Sequence, residues 1–298
     1  MRTSSLITAG LILSTGAAHA VIVAGGDGTQ NTTTPTGGQG WDYVGRIEHA
    51  TARSSITYID NDWFITAYHV KHFYDPSSVL FGGSSYSIDA GSWTRMTNSV
   101  GGDADLVMFR VTSDVGLSGV TVRSSATANG SALTMIGNGR NRETSETTWN
   151  GAWLEGGAPT VHTGYKWASG STKRWGTNTK DADAGLVDDG FGITEMFTTD
   201  FDDIGGSEAQ GATYDSGGGV FYDTGSEWEL AGIMVTVDIE GGQPWPGTAV
   251  YGNETYIADM QYYADQITTT AAIPEPSVLV LGSMVAIGGF CFRRIFLI

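Results

Sequence analysis

Cysteine is nearly absent: the chain has 298 residues and one cysteine, Cys291, close to the C-terminus. A disulfide scaffold needs pairs, so that class is excluded, and so are cysteine-rich structural zinc sites. Basic residues are also scarce. Fifteen Lys and Arg stand against 32 Asp and Glu, for a net charge of −17, which argues against holding nucleic-acid phosphates by charge. Aromatic residues are plentiful, with nine Trp, twelve Tyr and eleven Phe, so a core can form and wholesale disorder is excluded. Glycine contributes 43 residues with no collagen period, which points to many tight turns and a β-rich domain.

Both ends read as addresses rather than fold. Arg2, the apolar stretch Leu6 to Leu13 and the small-x-small sequence Ala18-His19-Ala20 have the order of a secretory signal over residues 1–20. At the other end, Pro274-Glu275-Pro276 precedes an apolar run from Ser277 to Phe292, closed by Arg293-Arg294. That order resembles the PEP-CTERM sorting signal of Gram-negative bacteria. The resemblance implies a transient inner-membrane anchor in residues 271–298, recognition by an exosortase-type sorting enzyme, and delivery to the cell surface or extracellular matrix. An ordinary C-terminal transmembrane helix is the alternative. Without Arg2, Glu275, Arg293 and Arg294 the exported part keeps 12 basic and 31 acidic residues.

Residues 21–40 are mostly Gly, Thr, Gln and Asn and read as an extended N-terminal segment. From Trp41 the chain alternates short apolar runs with turn residues. Strands are expected at 44–47, 55–59, 63–67, 79–81, 106–111, 133–136, 219–222 and 228–237. A single helix is expected from Tyr256 to Ile267, where Ile257, Met260, Ala264 and Ile267 recur at helical spacing after the candidate caps Asn253 and Thr255. Many strands and one terminal helix predict an antiparallel barrel or sandwich.

Three segments carry possible chemistry. Trp63-Phe-Ile-Thr-Ala-Tyr-His69 runs an apolar strand into a histidine. In Gly101-Gly-Asp-Ala-Asp105-Leu-Val-Met-Phe-Arg-Val111 an aspartate opens an apolar strand, with Asp103 a competing carboxylate. Tyr214-Asp-Ser216-Gly-Gly-Gly-Val-Phe221 sets a serine before glycines that permit a sharp turn. A serine hydroxyl becomes nucleophilic when a histidine takes its proton, and that histidine needs a carboxylate to orient it. The order His, Asp, Ser and the local motifs resemble the trypsin-like (chymotrypsin-fold) serine proteases. The three segments look like that family's W-[VF]-[LI]-T-A-A-H, D-[IL]-A-L-[LM]-[KR]-[LV] and D-S-G-G sequences. Leu230-Ala-Gly-Ile-Met-Val235 looks like its L-x-G-I-x-S strand, and the likeness runs from about Trp41 to Ile267.

The resemblance implies an all-β domain over residues 41–270: two packed antiparallel six-stranded β-barrels with a C-terminal helix. It implies an exported serine endopeptidase with no cofactor and no metal, acting on a protein or peptide substrate. Ser216 would be the nucleophile, His69 the general base and Asp105 its orienting carboxylate. Backbone N–H groups of Tyr214 and Ser216 would form the oxyanion hole. Val21, freed after Ala20, would pair with Asp215. Gln210 would sit at the base of the specificity pocket, with Val235, Thr236 and Val237 on its wall in place of S-W-G.

Tyr214 replaces a family glycine, so a catalytically silenced module acting in adhesion or matrix binding is the alternative reading. The basic–aromatic run Thr172 to Asn178 reads as a solvated loop. The acidic groups Asp181-Ala-Asp183, Asp188-Asp189 and Asp200-Phe-Asp202-Asp203 read as surface loops, since calcium-loop spacing is absent.

Overall fold

The computed structural model describes residues 21–244 and 247–272. The signal expected at 1–20, Pro274, Glu275 and Pro276, and the apolar run after them lie outside the described residues. Among the described residues no helix is long and apolar enough to cross a membrane.

The first half contains β1 (Ile22–Val23), β2 (Val44–Ile47), β3 (Ser55–Asp60), β4 (Trp63–Thr66), α1 (Tyr68–Tyr74), β5 (Ser78–Phe81), β6 (Ser84–Ser87), β7 (Thr94–Thr97) and β8 (Asp103–Arg110). Seven of its strands form one sheet, in the order β6-β5-β2-β3-β4-β8-β7.

The second half begins with β9 (Thr121–Val122), β10 (Ala132–Gly137), β11 (Arg140–Arg142), β12 (Thr147–Trp149), β13 (His162–Ser171) and β14 (Arg174–Thr179). It continues with β15 (Asp183–Asp188), β16 (Ile193–Asp200), β17 (Ala209–Gln210), β18 (Gly219–Asp223), β19 (Trp228–Asp238), β20 (Thr248–Val250), β21 (Glu254–Asp259) and α2 (Ala264–Ala271). Its main path is β14-β10-β18-β19-β21-β16-β15, with β11, β12, β13 and β20 in a second sheet. All these pairings are antiparallel; only β9 joins β19 in parallel. The two halves pack as the two barrels of the chymotrypsin fold.

The period of two along each strand explains why the apolar runs are nearly continuous. Ile56, Tyr58, Phe64 and Phe109 fill the first barrel, while their neighbours Ile59, Ile65 and Met108 face the core between the barrels. Phe64 stacks on Phe109 at 5.6 Å and meets Phe81 edge-on at 5.1 Å. In the second barrel Leu133, Met135, Val220 and Met234 point inward, and Ile136, Phe221 and Ile233 face the shared core. Strands buried on both faces have no polar positions to spare, which suits a domain with no disulfide to help it.

Three expectations are corrected. The helix does not begin at Tyr256. Residues 254–259 are β21, hydrogen-bonded to β16 on one side and β19 on the other, and helix α2 starts at Ala264. Sheet pairing on both sides outweighs the local helical spacing. Asn253 is no cap: its side chain is buried, accepting from the Val250 N–H and bonding Gln243. The run Thr172 to Asn178 is not a solvated loop but mostly β14, in which Arg174 is fully buried. Lys173 donates to the Trp41 and Val44 carbonyls, and desolvation pushes its pKa down to about 8. Helix α1 escapes the periodicity reading because it is two turns long and buries only Val70.

Candidate active site

His69 is the second residue of α1, directly after β4. β4 pairs with β8 through Thr66 and Val107, so the start of α1 lies beside Asp105. Asp105 is fully buried and both of its oxygens accept from His69. The His69 backbone N–H donates to Oδ1 at 2.7 Å, and ring Nδ1 lies 2.6 Å from Oδ2. This leaves Nε2 as the ring atom free to act on a substrate. Asp103, the competing carboxylate, faces away, largely exposed and ion-paired with Arg95 at 3.2 Å.

Ser216 lies on the turn between β17 and β18 and lines the same cleft as His69. Its Oγ donates to the Val235 carbonyl oxygen at 3.1 Å rather than to the His69 ring. The turn is bolted to the first barrel. The Ser55 N–H and hydroxyl both donate to the Tyr214 carbonyl, at 2.9 and 3.0 Å, and the Thr57 hydroxyl donates to the Gly217 carbonyl at 2.9 Å. Gly217 has φ +90, and a Cβ there would lie 2.1 Å from the Ser55 carbonyl oxygen. Only glycine permits that approach.

Tyr214 has φ 81, in the left-handed region that favours glycine. Its carbonyl is taken up by Ser55, while its N–H and that of Ser216 have no acceptor within the described residues. Two unclaimed N–H groups beside a serine are the arrangement that can stabilise an oxyanion. The Tyr214 ring is held aside: its hydroxyl donates to the Thr51 carbonyl at 2.8 Å and the Arg140 guanidinium lies over the ring at 5.1 Å.

Asp215 is buried and accepts from the N–H groups of Gly139 at 2.7 Å and Ala212 at 2.9 Å. The Val21 backbone N–H is directed at the same carboxyl, and β1 is fixed there by pairing with β17. Burial pushes Asp215 up to about 7, opposed by these N–H groups and by buried Arg174. Arg174 is a cation that sequence reading assigned to a surface loop.

The cleft beside Ser216 is walled by Met234, Val235, Thr236 and Val237 and continues to Gly211, Ala212 and Thr255. Gln210, expected at the pocket base, does not line it. Gln210 is on β17, paired with Ile22 and fully buried, and the floor passes instead to Gly211, whose N–H donates to the Thr255 hydroxyl at 3.0 Å.

Two of the remaining described histidines sit elsewhere. His162 stacks on Trp153 at 3.9 Å, and His49 contacts Thr51 and Tyr74. His72 shares Phe191 with His69. Asp189, which sequence reading assigned to an acidic surface loop, instead has its ligand atom within 4.8 Å of those of His69 and Asp105. The signal was an Asp-Gly-Phe-Gly turn at residues 189–192, which local sequence cannot assign to a site formed by α1 and β8.

No family model matches the chain, and no curated protein matches it. Solved structures do. Human heparin binding protein superposes with a TM-score of 0.53 at 12% identity, over 83% of this chain and 97% of that one. A variant of the same human protein gives 0.54 at 12% identity with the same coverage. Neuropsin, a serine protease expressed in the limbic system of mouse brain, gives 0.51 at 15% identity over 80% and 97%. At such identities the likeness is one of fold.

Proposed function

We propose that the chain is an exported serine endopeptidase. The observation that supports this most directly is the His69 ring held by both its backbone and Nδ1 on buried Asp105, with Ser216 in the same cleft. A turn of χ1 releases the Ser216 hydroxyl from the Val235 carbonyl toward Nε2. The His69 Nε2 then takes the hydroxyl proton as Oγ bonds to the scissile carbonyl carbon. The oxyanion receives the Tyr214 and Ser216 N–H groups. Protonated His69 gives its proton to the leaving amine, and water, activated by the same nitrogen, hydrolyses the acyl-enzyme to return Ser216. Asp105 holds the tautomer and offsets the imidazolium charge.

The pocket has no charge at its floor, and Val237 narrows its wall, so the reading favours small uncharged residues before the cut. Removal of residues 1–20 would turn the Val21 N–H into an ammonium facing Asp215, ordering the oxyanion turn without a separate activating cut. Export by the N-terminal signal, and sorting through Pro274-Glu275-Pro276 by an exosortase-type enzyme, complete the proposal.

The test is an active-site fluorophosphonate probe on the purified protein, with Ser216→Ala as control. Labelling that disappears in the variant is the expected result. A folded protein that takes no label at any pH from 6 to 9 refutes the enzyme and leaves the binding module.

A further inference from the structure

The hairpin β15–β16 ends in a turn, Asp189-Gly-Phe-Gly192, that crosses from the second barrel onto the first. The Asp189 Oδ1 accepts the N–H groups of Phe191 at 2.9 Å and Gly192 at 3.1 Å, which fixes the turn. Gly192 packs against the backbone of Asp105: a Cβ there would lie 2.5 Å from the Asp105 nitrogen. Phe191 covers His69, with ring centroids 5.6 Å apart, and its carbonyl accepts from Arg95. The turn is therefore built onto the His69–Asp105 pair.

The Asp189 carboxyl lies beside that of Asp105, with an oxygen of each within 4.8 Å of the other, so the two buried acids face each other. Two carboxyl groups can share a hydrogen bond only if one carries a proton. Both Asp105 oxygens are taken by His69, whereas the N–H groups of Phe191 and Gly192 use only Oδ1 of Asp189, so Oδ2 of Asp189 is the oxygen left to carry the proton. We infer that Asp189 is a positioning residue for the proposed triad: its O–H gives Asp105 a third hydrogen bond, and ionisation of Asp189 withdraws that bond and sets two like charges against each other. The inference rests on the protease reading only for its catalytic consequence. The same three residues are poorly arranged for a cation, since both Asp105 oxygens are committed to His69.

The charged groups around Asp189 are His69 and His72 on α1, Asp103 and Asp105 on β8, Arg95 on β7, Asp238 on β19 and its neighbour Asp188. Arg95 is engaged by Asp103 and by the Ala104 and Phe191 carbonyls, so it does not neutralise Asp189. Burial and the bond to Asp105 push Asp189 up to about 7. The acid form therefore holds below neutrality and is lost as pH rises through that value.

The experiment is NMR of the full chain with carbon-13 at the aspartate Cγ atoms, following also the His69 Hδ1 resonance. In the native protein Asp189 should titrate near 7, and Asp105→Asn should lower its midpoint by removing the like charge. The Hδ1 resonance should shift or broaden as Asp189 ionises and stay constant across that range in Asp189→Asn, whose amide donates at every pH. In turnover, kcat should fall above neutrality in the native protein, with KM unchanged, and hold in Asp189→Asn. Asp189→Ala should lose on the order of ten- to a hundredfold in kcat at all pH. Titration of Asp189 in the ordinary range near ~4, or identical Hδ1 behaviour in native protein and Asp189→Asn, would overturn the inference. A protein that meets both NMR expectations and cleaves nothing refutes the protease reading alone.

Discussion

Replacing Tyr214 with glycine separates two roles that the structure puts on one residue. The backbone presents an N–H to the cleft at φ 81, and glycine holds that conformation without strain. The oxyanion donor should survive, so the rate of fluorophosphonate labelling should stay within about threefold of native, small beside the ~10²–10³ cost of losing a donor. Stability should fall instead. The variant loses a hydroxyl bond to Thr51 worth about 1 kcal/mol. It loses the Arg140 contact, about 0.5 kcal/mol at a partly exposed site. It loses the packing of a partly buried ring on the first barrel, about 1.5 kcal/mol, and gives the unfolded chain more freedom, about 0.5–1 kcal/mol. Relief of left-handed strain returns about 1–2 kcal/mol. The balance is a loss of about 2 kcal/mol, or a Tm lower by about 4–8 °C for a domain of this size. Calorimetry and labelling kinetics on the same preparations decide it. A labelling rate raised a hundredfold would refute the reasoning, because it would mean that the ring or its strain obstructs the site. An unchanged Tm would refute the bond between the tyrosine and the first barrel.

Asp105→Asn should cut kcat by about 10⁴ with the fold intact, because the amide reverses the tautomer that Nδ1 and Oδ2 select; steady-state kinetics against native protein checks this. Gly217→Ala should destabilise the protein by more than about 4 kcal/mol, since its methyl would meet the Ser55 carbonyl oxygen at 2.1 Å; chemical denaturation measures it. Stability should decline between pH 5 and 7.5. In the chain that keeps residues 1–20, burial raises Asp189, Glu208 and Asp215 to about 7, above their unfolded values, so their contribution is complete below ~4 and is lost as pH rises through 7. Tm across that window reads the slope, and Asp215→Asn should flatten it. Val237→Gly should open the pocket wall and move preference toward larger residues before the cut, as read from a library of peptide substrates.

Expectations drawn from sequence succeeded where information is local. Trp63 to Thr66 and Leu106 to Arg110 read as strands because apolar alternation and buried pairing agree there. Ser216 followed by glycines read as a sharp turn because Gly217 tolerates what no other residue does. They failed where pairing partners are distant. Tyr256 to Asp259 has helical spacing, yet two neighbouring strands claim its backbone. Lys173 and Arg174 look like a surface cluster, yet one caps carbonyls of Trp41 and Val44 and the other is buried near Asp215. Gln210 stands six residues before Ser216, but its pairing with Ile22 turns it away from the cleft.

The chain alone determined which residues could do chemistry: His69 after its strand, Asp105 ahead of the next, Ser216 on its glycine turn. Those choices are written in residue types and in the backbone each short segment can adopt. Tertiary structure decided how they are held. Both Asp105 oxygens meet His69, the Ser216 hydroxyl rests on Val235, the Tyr214 ring swings to Thr51, and Asp189 arrives from 84 residues beyond Asp105 to lie beside its carboxyl. The physical reason is that hydrogen bonding and charge depend on distance and burial, and the packing of two barrels brings together groups that no local pattern in the sequence connects.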